Sequence, residues 1–341
     1  MTLSERKKAI LAAVINSYIR FGEPISSKAL CDILDLSLSS ATLRNEMSDL
    51  CSLGYLEQPH TSAGRIPTAL GYKFYISDLM KNEPLSGETR LLIDTMLEEL
   101  GGTFDGVAHR VGDVLSGLLQ LPVIISFKAS GDSTVKRVEL SAIGNHLLVI
   151  VIGTSQGVVE NRMLHVGGGN LARTMEDFQR LCNEYIIGRP LDSLSRTYFQ
   201  TVATAGGISL MEINSVLFDM IEHIKEPRVI IRGESNLLHR FERSFELRGL
   251  IDLLSQKERM LSLLSKTDSP VGVVFGNDTG VSEFHSSTMV VAEYSAGDSR
   301  LGKIGVICPM RTDYESLIPS VEYFAKKMSL AITDTLKALE D

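Results

Sequence analysis

Residues 40–68 read SATLRNEMSDLCSLGYLEQPHTSAGRIPT, and the way this run folds decides what kind of protein surrounds it. Leu43, Met47 and Leu50 recur at i, i+4 and i+7, the spacing of one helix face. Ser39 or Ser40 supplies an N-cap hydroxyl, and Gly54 a C-terminal stop. Beyond Gly54, GYLEQ reads as a strand and RIPT as its partner, with PHTSAG as the hairpin tip between them. Opposite the apolar stripe, the helix carries Ala41, Thr42, Arg44, Asn45 and Ser48. These are short or fork-shaped polar groups near a helix N-terminus. Small residues let a helix approach base edges, an arginine can grip guanine and an asparagine adenine, and free backbone amides suit a phosphate. A solvated surface helix would show the same polar face, so the helix alone leaves both readings open.

The neighbouring elements separate them. Toward the N-terminus, Thr2-Leu-Ser-Glu5 matches a capping box, and Ile10, Leu11, Val14, Ile15, Tyr18 and Ile19 follow at helical spacing. Gly22 and Pro24 end that helix; Ser26 or Ser27 caps a short one over KALCDIL, and DLSL turns into the third. Three helices followed by a hairpin form the winged version of helix-turn-helix. The PHTSAG tip is then a wing, stiffened by its prolines and kept tight by Gly64. Near its end Arg65, with His60, Thr61 and Ser62, is expected to hold the sugar-phosphate backbone, a contact that positions the protein without reading sequence. Arg44 and Asn45 are expected to read bases, with Ser40, Thr42 and Ser48 in support.

The charge distribution agrees. The chain of 341 residues carries a net charge of −8, which argues against a protein that coats nucleic acid indiscriminately. Residues 1–82 nevertheless hold nine Lys+Arg against eight Asp+Glu, while the remainder holds 25 against 34. The N-terminal segment escapes the acidic bias. The longest apolar run, LLVIVI at 147–152, suits a buried strand and is too short to span a bilayer. The N-terminus lacks the apolar block of a signal peptide. Cys31, Cys51, Cys182 and Cys308 are scattered without a CxxC pair, as expected of reduced thiols in a cytosol.

Downstream, NEPLSG reads as a linker, and TFDGVAHRVGDVLSGLLQ (103–120) as an amphipathic helix. Strands are expected in VIISF, VKRVELSAI, HLLVIVIG and GVVENRMLHV, the last two as a hairpin. Helices follow from Thr174 to Ile187 behind a Thr-x-x-Asp cap and from Ser209 to Ile224 behind a Ser-x-x-Glu cap; then come RVIIR, a helical stretch to about Lys266, three strands from 271, and a final helix. A sheet begun at 123 and resumed at 271 implies one domain inserted in another. The expected divisions are a DNA-binding unit at 1–78, a discontinuous domain at 79–166 and 240–341, and an insert at 167–239.

Chemistry is absent from the motifs. GGGN (167–170) is not a dinucleotide fingerprint and reads as a turn. FGNDTG (275–280) lacks the lysine of a P-loop. The seven histidines show no metal-ligand spacing, and no GxSxG elbow exists. No enzyme activity, cofactor or metal is expected.

The run at 40–68, together with VGVVFGNDTG (271–280) and IGVICPMRTDYESLIPSVEYFA (304–325), resembles the HrcA family of heat-inducible transcription repressors. One departure is Ser40, where relatives often carry proline before Ala-Thr. The resemblance implies an α+β multidomain chain: an N-terminal winged helix, a GAF-like α/β domain, and a mainly helical dimerisation domain inserted in it. It also implies a homodimer, a double-stranded DNA operator (the CIRCE inverted repeat ahead of chaperone operons), support of activity by the GroEL chaperonin, and a cytoplasmic location without membrane. Two rivals remain at this level: a regulator sensing a metabolite through the GAF-like domain, and a protein-interaction module without DNA binding.

Overall fold

The computed structural model describes all residues except 1–2, 35–38, 62, 82, 99, 101, 145, 168–169, 207–209, 241–243, 298 and 338–341, and it leaves aside the side chains of 203, 205–206, 239–240 and 244–246. The chain opens with α1 (Glu5–Phe21), α2 (Ser27–Ile33), α3 (Ser40–Ser52), β1 (Leu56–Glu57) and β2 (Ile66–Pro67). Leu11, Val14 and Ile15 of α1, Leu30 of α2, and Leu43, Met47 and Leu50 of α3 are buried together. The caps are Ser26 for α2 and Ser39 for α3, whose hydroxyls accept from Ala29 N and Thr42 N. The first cap differs from the capping box expected at Thr2. Ser4 caps α1, accepting from Lys7 N at 3.3 Å. Thr2 itself lies outside the described residues, as does the DLSL turn.

β1 and β2 pair antiparallel, Leu56 opposite Pro67 and Glu57 opposite Ile66. A third strand-like segment completes the hairpin: Ile25 N donates to Arg65 O (3.0 Å) and Arg65 N to Ile25 O (2.8 Å). The base of the wing is thus zipped to the segment that leads into α2. Thr68 then donates to Gly54 O at 2.6 Å and caps α4 (Ala69–Phe74), which runs into a π-helical turn over Tyr75–Leu79.

After α5 (Gly87–Met96) and α6 (Phe104–Leu119) comes β3 (Val123–Phe127). Three strands follow, β4 (Val135–Ala142), β5 (Leu147–Thr154) and β6 (Val159–His165), then α7 (Leu171–Tyr185), α8 (Arg196–Gly206) and α9 (Met211–Lys225). The remainder is β7 (Arg228–Arg232), α10 (Leu237–Arg240), α11 (Ser244–Leu254), α12 (Lys257–Leu264), β8 (Val271–Phe275), β9 (Ser287–Ala296), β10 (Ser299–Pro309) and α13 (Tyr314–Lys337).

Strand pairing divides this part of the chain differently from the expected boundaries. β3 joins β7, β8, β9 and β10 in one antiparallel sheet of order β7-β3-β10-β9-β8, whereas β4-β5-β6 form a separate sheet. The excursion therefore leaves after β3 and returns at β7, so a division at 167 falls inside it. The burial patterns show why. β3 is buried at every position, as a central strand covered on both faces should be. β5 alternates half-buried and buried, the mark of a sheet covered on one face. Val138, Ile150, Ile152 and Leu164 supply that covered face, against α7 and α9. Two residues of GGGN, 168–169, lie outside the described residues, but its Asn170 caps α7 by accepting from Arg173 N at 3.2 Å. This moves the helix start upstream of the expected Thr174. The expected cap Ser209 lies outside the described residues, and α9 follows Leu210.

One face of the five-stranded sheet packs on α6 and α13. The other is filled by Leu250, Leu253, Met260, Leu263 and Leu264 of α11 and α12 against Ile124, Met289, Val291 and Ile307. Arg228 ties the two units together, donating to Asp105 Oδ2 (3.1 Å) on α6 and Glu160 Oε2 (3.0 Å) on β6. Among the described residues no helix is long and apolar enough to cross a membrane.

Candidate nucleic-acid interface

Once α3 buries Leu43, Met47 and Leu50, its geometry leaves Ala41, Arg44, Asn45 and Ser48 as one exposed stripe at i, i+3, i+4 and i+7. Arg44 and Asn45 make no hydrogen bond or ion pair with other described residues, so the fork of one and the amide of the other are free. Ser40 and Thr42 are differently placed. Both are half-buried; Ser40 Oγ lies 3.1 Å from Ser27 Oγ at the start of α2, and Thr42 Oγ1 lies 2.9 Å from Ser39 Oγ. The Ser40 contact joins the start of α3 to that of α2, and the Thr42 contact stays within the N-cap of α3.

The rear of α3 is held by charge. Glu46 is buried and accepts from Arg6 and Lys7 of α1, both at 2.6 Å, and Lys7 also reaches Asp49 at 2.8 Å. The Asp49 and Glu46 carboxylates hold the Lys7 ammonium above its ordinary range. Lys7 and Arg6 are thereby paired within the domain, and the exposed cation of α3 is Arg44.

The wing follows α3, its first strand β1 packing against that helix. Pro59, His60 and Thr61 are exposed; Ser62 lies outside the described residues. Arg65 stands at the base of the wing, half-buried, and not near its tip. Its Nη1 points back at Ala63 O (3.5 Å), and its Nε is buried without a hydrogen-bond partner among the described residues. Gln58 of the wing was not singled out in the sequence, whereas Gly64 was read there as keeping the tip tight. Gln58 Nε2 donates to both Thr61 O (2.9 Å) and Ala63 O (3.0 Å), closing the loop from within. Gly64 is required by contact: a Cβ there would stand 2.3 Å from Ile25 O. A glutamine at the end of one strand and a glycine before the next were visible, but nothing local revealed their partners.

The other sequence motifs turn structural. Asp278 of FGNDTG pairs with Lys73, and Gly276 is a close approach to the Phe284 backbone. No group of three or more His, Cys, Asp or Glu placed to hold a metal occurs among the described residues.

A free polar stripe on the third helix with a wing beside it defines a winged-helix DNA-binding regulator. Residues 2–79 match the family model described as the winged helix-turn-helix transcription repressor HrcA DNA-binding domain, and residues 105–318 match the HrcA protein C-terminal domain. The chain belongs to the HrcA family of heat-inducible transcription repressors, which are regulators and not enzymes. It is 30% identical over 344 residues to the heat-inducible transcription repressor HrcA of Desulforamulus reducens, covering 99% of each chain. It is 31% identical over 340 residues to that of Desulforudis audaxviator, covering 96% of this chain and 98% of the relative. A crystal structure described only as a hypothetical protein shares the fold, with a TM-score of 0.69 and 24% identity over 98% of this chain and all of that one.

Proposed function

We propose that the chain is a cytoplasmic, dimeric repressor that binds the CIRCE inverted repeat ahead of chaperone operons, with its activity supported by the GroEL chaperonin. The observation that carries the DNA reading is the unpartnered stripe Ala41-Arg44-Asn45-Ser48 beside an exposed wing. An inverted repeat has two-fold symmetry, so its reader is a C2 dimer. The outer face of β4-β5-β6 offers a surface for one. Val149 faces Met163 across the strands, and Met163 and Ile143 are 67% and 58% exposed. The chaperonin and the operator enter through the family resemblance. In this reading the domains are a winged helix to about residue 80, a GAF-like frame from α5 to β3 and again from β7 to α13, and an insert at 128–227. The leucine-rich layer of α11 and α12 on the second sheet face favours a structural frame over a metabolite sensor.

Fluorescence anisotropy of a duplex bearing the repeat, against a scrambled duplex over a salt series, tests the reading. Tight binding to the repeat alone with one dimer per duplex supports it; equal weak binding by folded protein, with chaperonin present, refutes it. Arg44→Ala is expected to cost about 1–3 kcal/mol on the repeat and to weaken base preference. An equal loss on both duplexes would make Arg44 a phosphate contact. Arg65→Ala is expected to weaken every sequence alike and to lower the salt slope by about one. A loss confined to the repeat would assign the wing a reading role.

A further inference from the structure

The motifs around 278 and 311–315 find no role in DNA contact, yet the structure brings both against the back of the winged helix. Lys73 of α4 pairs with Asp278 (2.5 Å to Oδ2), and its ammonium stands 5.5 Å from the centre of the Phe275 ring. The buried Tyr75 hydroxyl donates to Glu315 Oε1 at 2.8 Å and lies 2.6 Å from Asn16 Oδ1 on α1. Arg311 Nη1 donates to Ile19 O (3.2 Å), a carbonyl of the last turn of α1, where a cation also meets the negative end of the helix dipole. The same guanidinium occupies the space beside Gly22: a Cβ there would lie 3.0 Å from Arg311 Nη1.

The three contacts fall on three separate points of the domain, α4, the π-helical turn and the end of α1. Any one of them alone would leave a pivot; together they restrain the orientation from α4, the turn after it and the end of α1. None covers the stripe on α3 or the wing, which stay exposed while the contacts are made. The arrangement therefore holds the DNA-reading face without hiding it.

We propose that Asp278, Arg311 and Glu315 are positioning residues that fix the angle at which each winged helix leaves its protomer and so match the two recognition helices of a dimer to one half-site spacing. This rests on the dimeric-operator reading above. A dimer gains on a two-site duplex because binding of one half raises the effective concentration of the other. That gain is largest when the second helix is already aimed, and it falls when the aim is loosened. Binding to a single half-site involves no such aim and is left as it was.

The test uses the full-length protein, wild type and Asp278→Ala/Arg311→Ala/Glu315→Gln, with three kinds of duplex: the complete repeat, one half-site, and repeats whose spacer is lengthened or shortened by a few base pairs. The triple variant is expected to lose about tenfold on the native spacer, to keep half-site affinity within about twofold, and to lose its preference among spacers. A second arm guards against misfolding. Lys73→Glu alone is expected to relax the spacer preference, and Lys73→Glu with Asp278→Lys to restore it. Equal losses on half-site and complete repeat would overturn the proposal, since the contacts would then only support the domain fold. So would a gain in affinity, which would make them inhibitory, or an unchanged spacer preference. Should wild-type protein bind the complete repeat no better than a half-site, the dimeric-operator reading itself fails, and the positioning role with it.

Discussion

Truncating Leu43 to alanine is expected to cost about 2–5 kcal/mol of stability, the largest effect among the residues of α3. Leu43 is fully buried in the winged-helix core, alongside Met47 and Leu50. Removing three carbons there loses transfer free energy and leaves a cavity that α1 and α3 cannot close, because Glu46 and Asp49 bind them at fixed distance through Arg6 and Lys7. The next residue, Arg44, is exposed. Two consecutive positions therefore separate folding from recognition. Leu43→Ala should lower the urea midpoint and speed hydrogen exchange in α1–α3, with DNA affinity falling only as the folded fraction falls. Arg44→Ala should leave the urea midpoint in place while affinity falls. A Leu43→Ala protein destabilised by less than about 1 kcal/mol would show that the domain repacks and that α3 is not anchored at this point.

Gly64→Ala is expected to cost about 3–5 kcal/mol and to disable the wing. The added methyl carbon would stand 2.3 Å from Ile25 O, 2.4 Å from Ile25 C and 2.7 Å from Pro24 O. All three are backbone atoms, and Ile25 is fixed by its paired hydrogen bonds to Arg65. Relief requires the wing to part from the α1–α2 segment, which loses both bonds at about 1 kcal/mol each on top of about 1–3 kcal/mol of overpacking. The base of the wing then shifts, and Arg65 with it, so affinity should fall on repeat and scrambled duplexes alike. Gly117 is the control. It lies within α6, and a Cβ there meets nothing within 4 Å. Gly117→Ala should be neutral or stabilising by up to about 1 kcal/mol. A melting temperature unchanged by Gly64→Ala would refute the close approach.

The winged helix was legible because its signals are local. Apolar stripes at helical spacing, serine caps and glycine stops all act within a few residues, and Leu43, Met47 and Leu50 fall inside as their spacing requires. What the sequence withheld is long-range pairing. VIISF and VKRVELSAI both read as strands, but only the structure shows that β3 pairs with β7 and β10 while β4 pairs with β5. The stripe of α3 could be read from its own turns. Arg65, placed near the wing tip by position in the hairpin, stands at its base because the bridge to Ile25 lies 40 residues upstream in sequence. Lys73, Asp278, Arg311 and Glu315 could not be connected at all, since no local pattern ties residue 73 to 278.

The order of the central sheet has a consequence during synthesis. β3 is apolar on both faces, and its two neighbours are β7 and β10, at 228–232 and 299–309. At about 5–20 residues per second on the ribosome, β3 waits roughly 10–30 s for β10 to emerge. β7 can cover one of its edges sooner, but until β10 arrives the other edge stays open, while the winged helix, complete before residue 80, has emerged long before. The nascent chain thus has a DNA-binding head before it has a frame, and the unfinished frame is what a chaperone would hold. On the proposed chaperonin-supported reading, the supply of working protein would follow the spare folding capacity of the cell, through the order in which strands leave the ribosome.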